Sequence, residues 1–177
     1  MKKFVLLAAI AFGAWAWSTE AGNELVARLY AMVTGRAAIE IDFDSLTPEV
    51  AEDEIKTLYS SSKFKCYDER SELGDRVCFT DVREVNGVPA RYAAFFFKDA
   101  ELSNVKVALD GKDHPTLVQT FTDTYGEWRT VGSRKDVYGK PIVGWYLSSG
   151  VLAVSETAPR DKEATLLWIS RHRLLPG

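Results

Sequence analysis

Histidine and cysteine are scarce in this chain, with two of each among 177 residues, and that scarcity excludes much nucleophilic and metal chemistry. His114 falls at an expected helix start and His172 close to the C-terminus, neither in a recognisable catalytic setting. Gly-x-Ser-x-Gly, His-Glu-x-x-His, a Walker loop and a dinucleotide fingerprint are all missing. No spacing calls for a metal or a cofactor. Stripes of Lys or Arg are missing too. The 22 basic residues stand against 25 acidic ones, for a formal charge of -3, which excludes a nucleic-acid footprint and argues against an anionic membrane surface as partner. The acids offer many pairs, so a hydrolase built on two converging carboxylates stays open as a third reading.

No apolar run is long enough to span a bilayer. Phe4 to Trp17 gives fourteen residues, where about 20 are needed. Lys2 and Lys3 precede the run and Ser18-Thr19-Glu20 follow it, the order of a secretory signal, with cleavage expected after Ala16 or Ala21. No cysteine stands near either site, which excludes a lipid-anchored form. The rival reading is an uncleaved membrane anchor over residues 4–34, in which a helix begun at Asn23 and ended by Gly35 extends the run past Glu20 and Glu24. The chain thus divides into a leader (1–21, or the anchor), a helical arm with an acidic linker (22–46) and one domain (47–173). The location expected is periplasmic or secreted, or, with the anchor, the periplasmic side of an inner membrane.

What the chain does have begins with Cys66 and Cys78. Their spacing fits no common zinc pattern, and the stretch between them (YDERSELGDRV) is polar and contains Gly74. In a reducing compartment they would be two buried thiols. In an exported protein they form a disulfide whose loop closure contributes about 3 kcal/mol.

Two runs rich in β-branched and aromatic residues, Arg76 to Val85 and Ala90 to Phe97, flank Asn86-Gly87, a strong hairpin signal. Pro89 cannot donate to a ladder and should mark the start of the second strand. After a polar break at Lys98-Asp99-Ala100-Glu101, Leu102 to Leu109 alternates as a third strand. In the middle strand Tyr92 and Phe96 point to one face and Phe95 and Phe97 to the other, so both faces require cover. Further strands are expected at Ile142 to Leu147, Val151 to Ser155 and Ala164 to Ser170.

Two helices are expected. In the first, Thr47 is the cap and Pro48 opens it, the acids Glu49, Glu52, Asp53 and Glu54 complement its dipole, and Val50, Ile55, Leu58 and Tyr59 form the buried stripe. Asp42-x-Asp44 invites a calcium loop, but Leu46 and Thr47 stand where an oxygen ligand and glycine are needed. The second helix opens at Asp113-His114-Pro115, with His114 exposed, presents Leu117, Val118, Phe121 and Tyr125 on one face, and ends at Gly126.

The fold expected is α+β: an antiparallel meander sheet with two helices on one face, a possible tandem duplication of helix plus strands, and an N-terminal hydrophobic helix. This order, the Tyr125-Gly126 helix end and the aromatic strands resemble the tandem helix-plus-meander build of the β-lactamase inhibitory proteins and the small lipoprotein of the outer-membrane barrel-assembly machinery, over roughly Thr47 to Ser170. The resemblance implies binding of another protein through the open face of the sheet, without catalysis, and transfers no functional residue.

The aromatic inventory, with 5 Trp, 7 Tyr and 9 Phe, points the same way. Tyr92, Trp128, Tyr138, Trp145, Tyr146 and Trp168 are the candidates for an exposed interface patch. The function expected is an exported, non-catalytic binder of another envelope or secreted protein, contacting a membrane only if its N-terminal helix is retained. Alternatives are a membrane-anchored accessory subunit of an envelope complex and a periplasmic binder of a small apolar ligand in a pocket lined by Phe95, Phe97 and Trp145.

Overall fold

The computed structural model describes residues 36–174. The leader, its cleavage sites, the helix after Asn23 and the alternative anchor lie outside the described residues. Within them the chain is mixed α+β and mostly strand. It starts with β1 (Ala37–Ile39), α1 (Glu52–Leu58), β2 (Lys65–Asp68), β3 (Arg76–Val85), β4 (Val88–Pro89), β5 (Tyr92–Lys98) and β6 (Glu101–Asp110). A 3-10 turn then runs into α2 (His114–Tyr125), followed by β7 (Arg129–Lys135), β8 (Pro141–Tyr146), β9 (Gly150–Ser155), β10 (Glu163–Ser170) and a final turn of helix, α3 (Arg171–Leu174). No helix among the described residues is long and apolar enough to cross a membrane.

All ten strands join one sheet. Eight lie side by side in the order β2-β3-β5-β6-β10-β9-β8-β7, each antiparallel to its neighbours. The last third of β3 reaches beyond them, with β1 parallel on one side and β4 antiparallel on the other. The β3–β4 hairpin turns at Asn86 and Gly87, both at positive φ (51° and 75°), as an Asn-Gly pair allows. Between β5 and β6 the turn residues Asp99 and Ala100 also take positive φ (54° and 67°).

Alternation along β10 sorts the two faces. Ala164, Leu166, Trp168 and Ser170 are buried, while Glu163, Thr165, Leu167 and Ile169 are only partly so. On the buried side lie Phe95, Val105, Val107, Leu152, Val154, Val143 and Trp145. Both helices cover that side. Tyr59, at the end of α1, stacks on Phe95 at 5.7 Å, and Phe121 of α2 packs against Trp145 at 5.8 Å. Gly126 takes a positive φ of 82° and its N–H returns to the Thr122 carbonyl, closing α2.

Several expectations need correction. Thr47 does not cap α1: residues 47–50 form a turn, and the helix begins at Glu52 behind Ala51. Leu58 is exposed, so the buried stripe shrinks to Ile55 with Val50 and Tyr59 beside it. His114 is buried (4% exposed) and its Nε2 donates to the Ser155 carbonyl at 2.7 Å. The stretch Ala37 to Leu46, expected in the linker, belongs to the compact unit. Its acids alternate with Ile39, Ile41 and Phe43, which enter the core together with Leu46. β1, β2 and β7 gave little warning in the sequence: the first two are three and four residues long, and β7 is charged and broken by Gly132 at positive φ.

Candidate functional site

The side of the sheet away from α1 and α2 is the candidate site. One row of facing residues crosses seven strands: Tyr67, Val77, Phe96, Asn104, Ile169, Val151 and Tyr146. Its two ends are the most open, Tyr67 at 45% and Tyr146 at 59% exposed, and Phe96 and Ile169 are half-buried. A second row runs Lys65, Phe79, Ala94, Lys106, Leu167, Ala153, Gly144 and Arg129. Large side chains therefore stand around a floor of small ones. An open groove of about 300 Å³ is lined by Tyr67, Glu69, Val77, Phe79, Tyr92, Ala94 and Phe96.

Charges on this side are positioned by aromatic rings. The Lys65 ammonium lies 5.6 Å from the Phe79 ring centre and the Lys106 ammonium 5.3 Å from that of Tyr92. Glu163 accepts from Lys106 at 3.3 Å and from the Tyr92 hydroxyl at 3.5 Å. Burial acts to lower the Lys106 pKa, but Tyr92 and Glu163 together hold it above the ordinary lysine value. The centre of the face is thus polar, with apolar ground on either side.

Of the candidate interface residues, Tyr92 and Tyr146 lie on this face. Tyr138 is 42% exposed at the β7–β8 turn and lines a groove with Ser155, Glu163 and Thr165 at one end of the same face. Trp145 and Trp168 do not belong to the patch: at 2% and 0% exposure they lie on the helix-covered side, with Leu152 facing both. Their indole N–H groups donate to the Gly126 carbonyl and the Ser149 hydroxyl. Trp128 is half-buried against the core. Tyr67, Phe79, Phe96, Leu167 and Ile169 were not among the candidates, although the period-two alternation of β3, β5 and β10 set four of them opposite neighbours that the structure buries.

Catalytic geometry can be tested where suitable residue types meet. His114, Ser155 and Asp136 come together, but the Ser155 hydroxyl donates to Asp136 at 2.7 Å while the imidazole is spent on the Ser155 carbonyl. The imidazole is not aimed at the hydroxyl, which meets only the Asp136 carboxylate. Burial acts to raise the Asp136 pKa, and the Lys140 N–H, the Ser155 hydroxyl and the Tyr138 N–H together bring it below the usual value. That suits a carboxylate anchoring a turn rather than a general acid, which needs a raised pKa. Donor atoms of Glu52, Cys66 and Cys78 lie within 4.8 Å of one another. Yet the two sulfurs form a disulfide and the carboxylate is held by Arg76 and Lys56, so the oxidised site offers no ligand set.

The small-ligand pocket expected around Phe95, Phe97 and Trp145 is filled by the protein itself. Phe95 packs against Tyr59 and Phe64, and the crevice between α2 and the sheet, lined by Leu109, Leu117, Phe121 and Leu166, leaves no space for a water-sized body. Scans against family models, curated proteins and solved structures found no match to this chain.

Proposed function

We propose that this chain is an exported, non-catalytic binding protein that holds another protein on the uncovered face of its sheet. The observation that carries the reading is the contrast between the two sides. One is sealed by α1, α2 and the segment from Ile39 to Leu46, whereas the other leaves Tyr67, Phe79, Tyr92, Phe96, Tyr146, Leu167 and Ile169 partly in water. Half-exposed aromatic residues are the type enriched where proteins meet. Eight strands at about 4.8 Å spacing make a face roughly 34 Å wide, large enough for the ~800 Å² that each partner contributes to a standard interface.

Export is supported by the signal-like order of the first residues and by the Cys66–Cys78 bridge, since such bridges persist outside reducing compartments. The resemblance to the β-lactamase inhibitory proteins and the assembly lipoprotein is supported by element order alone. α1 precedes β2 to β6, α2 precedes β7 to β10, and both helices cover one side. This is the arrangement a tandem duplication would give.

The test uses the full chain as bait on envelope and secreted fractions of its native cell, with two variants of unchanged thermal stability. Tyr67→Ala combined with Tyr146→Ala alters the uncovered face, and Leu58→Ala alters an exposed apolar residue of α1. A partner kept by Leu58→Ala and lost, by at least tenfold in affinity, with the double variant supports the reading. A partner retained by the double variant, or the absence of any saturable partner, removes it.

A further inference from the structure

We propose that the Cys66–Cys78 bridge is a reducible latch on the outer wall of the groove, so that binding on the uncovered face is set by redox state; this rests on the binding role given above. β2 is an outermost strand, paired only with β3 among the described residues, and over just four residues. Lys65, Tyr67 and Asp68 are exposed, so little apolar burial holds the strand. Its link to β3 at Asp68 is an ion pair to Arg76 in which the carboxylate is 88% exposed, a weak tie in water. Cys66 faces Cys78 directly, and the bridge between them is the strongest connection β2 has.

The wall matters because Tyr67 is the groove's outer side, edge-on to Phe79 at 5.6 Å. Release would remain local because both flanks are anchored independently. Upstream, Phe64 packs on Phe95 at 5.9 Å. Downstream, the Leu73 carbonyl accepts from the Ser103 hydroxyl at 2.5 Å and the Asn104 amide at 2.7 Å, and the Asp75 N–H donates to the Phe97 carbonyl at 2.9 Å. Gly74 lies so close that a Cβ there would stand 2.5 Å from the Phe97 oxygen. A short edge strand between two fixed points, with few buried contacts, is the kind of segment that opens alone.

The chemistry is thiol–disulfide exchange with a dithiol. A thiolate of the reductant attacks Cys66, which is partly exposed whereas Cys78 is wholly buried. The Cys66–Cys78 bond breaks as the mixed disulfide forms, and Cys78 leaves as a thiolate that takes up a proton. The reductant's second thiol then displaces Cys66, which leaves with a proton, and two electrons have passed from the dithiol to the protein.

Amide hydrogen exchange on the full chain, oxidised and after treatment with dithiothreitol, tests the latch without a partner. The Tyr67 amide, which faces β3, should lose protection at least tenfold while β6 and β10 are unchanged, and a variant carrying Cys66→Ser and Cys78→Ser should match the reduced protein. Unchanged protection at Tyr67 would overturn the proposal. So would loss of protection at β6 and β10 together with β2, since the bridge would then staple the whole fold. Tyr67→Ala with the bridge intact should keep β2 protected and weaken partner capture. If capture is unaffected while the exchange result holds, the binding role of the groove fails and the strand release stands.

Discussion

At Glu52 one carboxylate joins α1 to the sheet. Its oxygens accept from the Arg76 guanidinium and, at 2.5 Å, from Lys56, while Arg76 also donates to Asp68 at 2.9 Å. The Arg76 hydrogen bonds are the main reason its pKa drops to about 2. A folded pKa below the unfolded value near 4.5 means that the charged form supports folding. The contribution is complete above about pH 4.5 and disappears as pH falls through 2. Thermal melts should therefore lose stability across that window, and Glu52→Gln should flatten that part of the profile; an unaltered profile would show the pair to be inert. The sequence made the acidic first turn of α1 legible, but nothing in it showed that Arg76 would meet Glu52, because that contact depends on how the helix lies across β3. Turns divide in the same way. Asn86-Gly87 announces positive φ through residues that tolerate it, whereas Asp99-Ala100 takes similar angles with a methyl side chain that announces nothing.

Within β8 two adjacent residues carry opposite duties. Trp145 is sealed under Phe121 and Tyr146 stands in water on the other side. Trp145→Ala should cost roughly 3–5 kcal/mol, the usual cost of emptying a large buried aromatic site, whereas Tyr146→Ala should change stability by no more than about 0.5 kcal/mol, as for ordinary surface changes. Denaturant melts of the two variants check this, and comparable losses would mean that the faces have been assigned wrongly. Alternation told from sequence that neighbouring residues oppose each other. It could not tell which set the helices cover, and so Trp145 and Trp168 entered the list of interface candidates on size and chemistry alone. α2 was the most legible element, because proline near its start, an apolar stripe and Gly126 all agreed. α1 was less so, since Thr47-Pro48 is as good a turn as it is a helix start.

For the molecule as a whole, the segment from Ala37 to Leu46 acts as a strap. β1 pairs with β3, and the Asn86 side chain closes two hydrogen bonds with the Ile41 backbone at 2.8 and 2.9 Å. Further on, Phe43 meets Phe121 at 5.8 Å, and Asp44 accepts from the Ser148 N–H at 2.8 Å. The strap thus joins the helix-and-strand set begun by α1 to the one begun by α2. Phe43→Ala should cost about 3–5 kcal/mol and speed amide exchange at the β8–β9 turn; an effect confined to β1 would show that the strap serves only one set. Its acids hid it in the sequence, because a charge on every second residue describes a linker as well as it describes the wet side of an extended segment. The sheet order carries one more consequence. Its central pairing is β6 with β10, so the middle of the sheet depends on the last of the described strands. Synthesis delivers that strand after the other nine described strands, and until it arrives β6 and β9 both present bare edges. Until then the strap ties one half to the other, and a chain cut short before Glu163 would not merely lack an end: its sheet would be open down the middle.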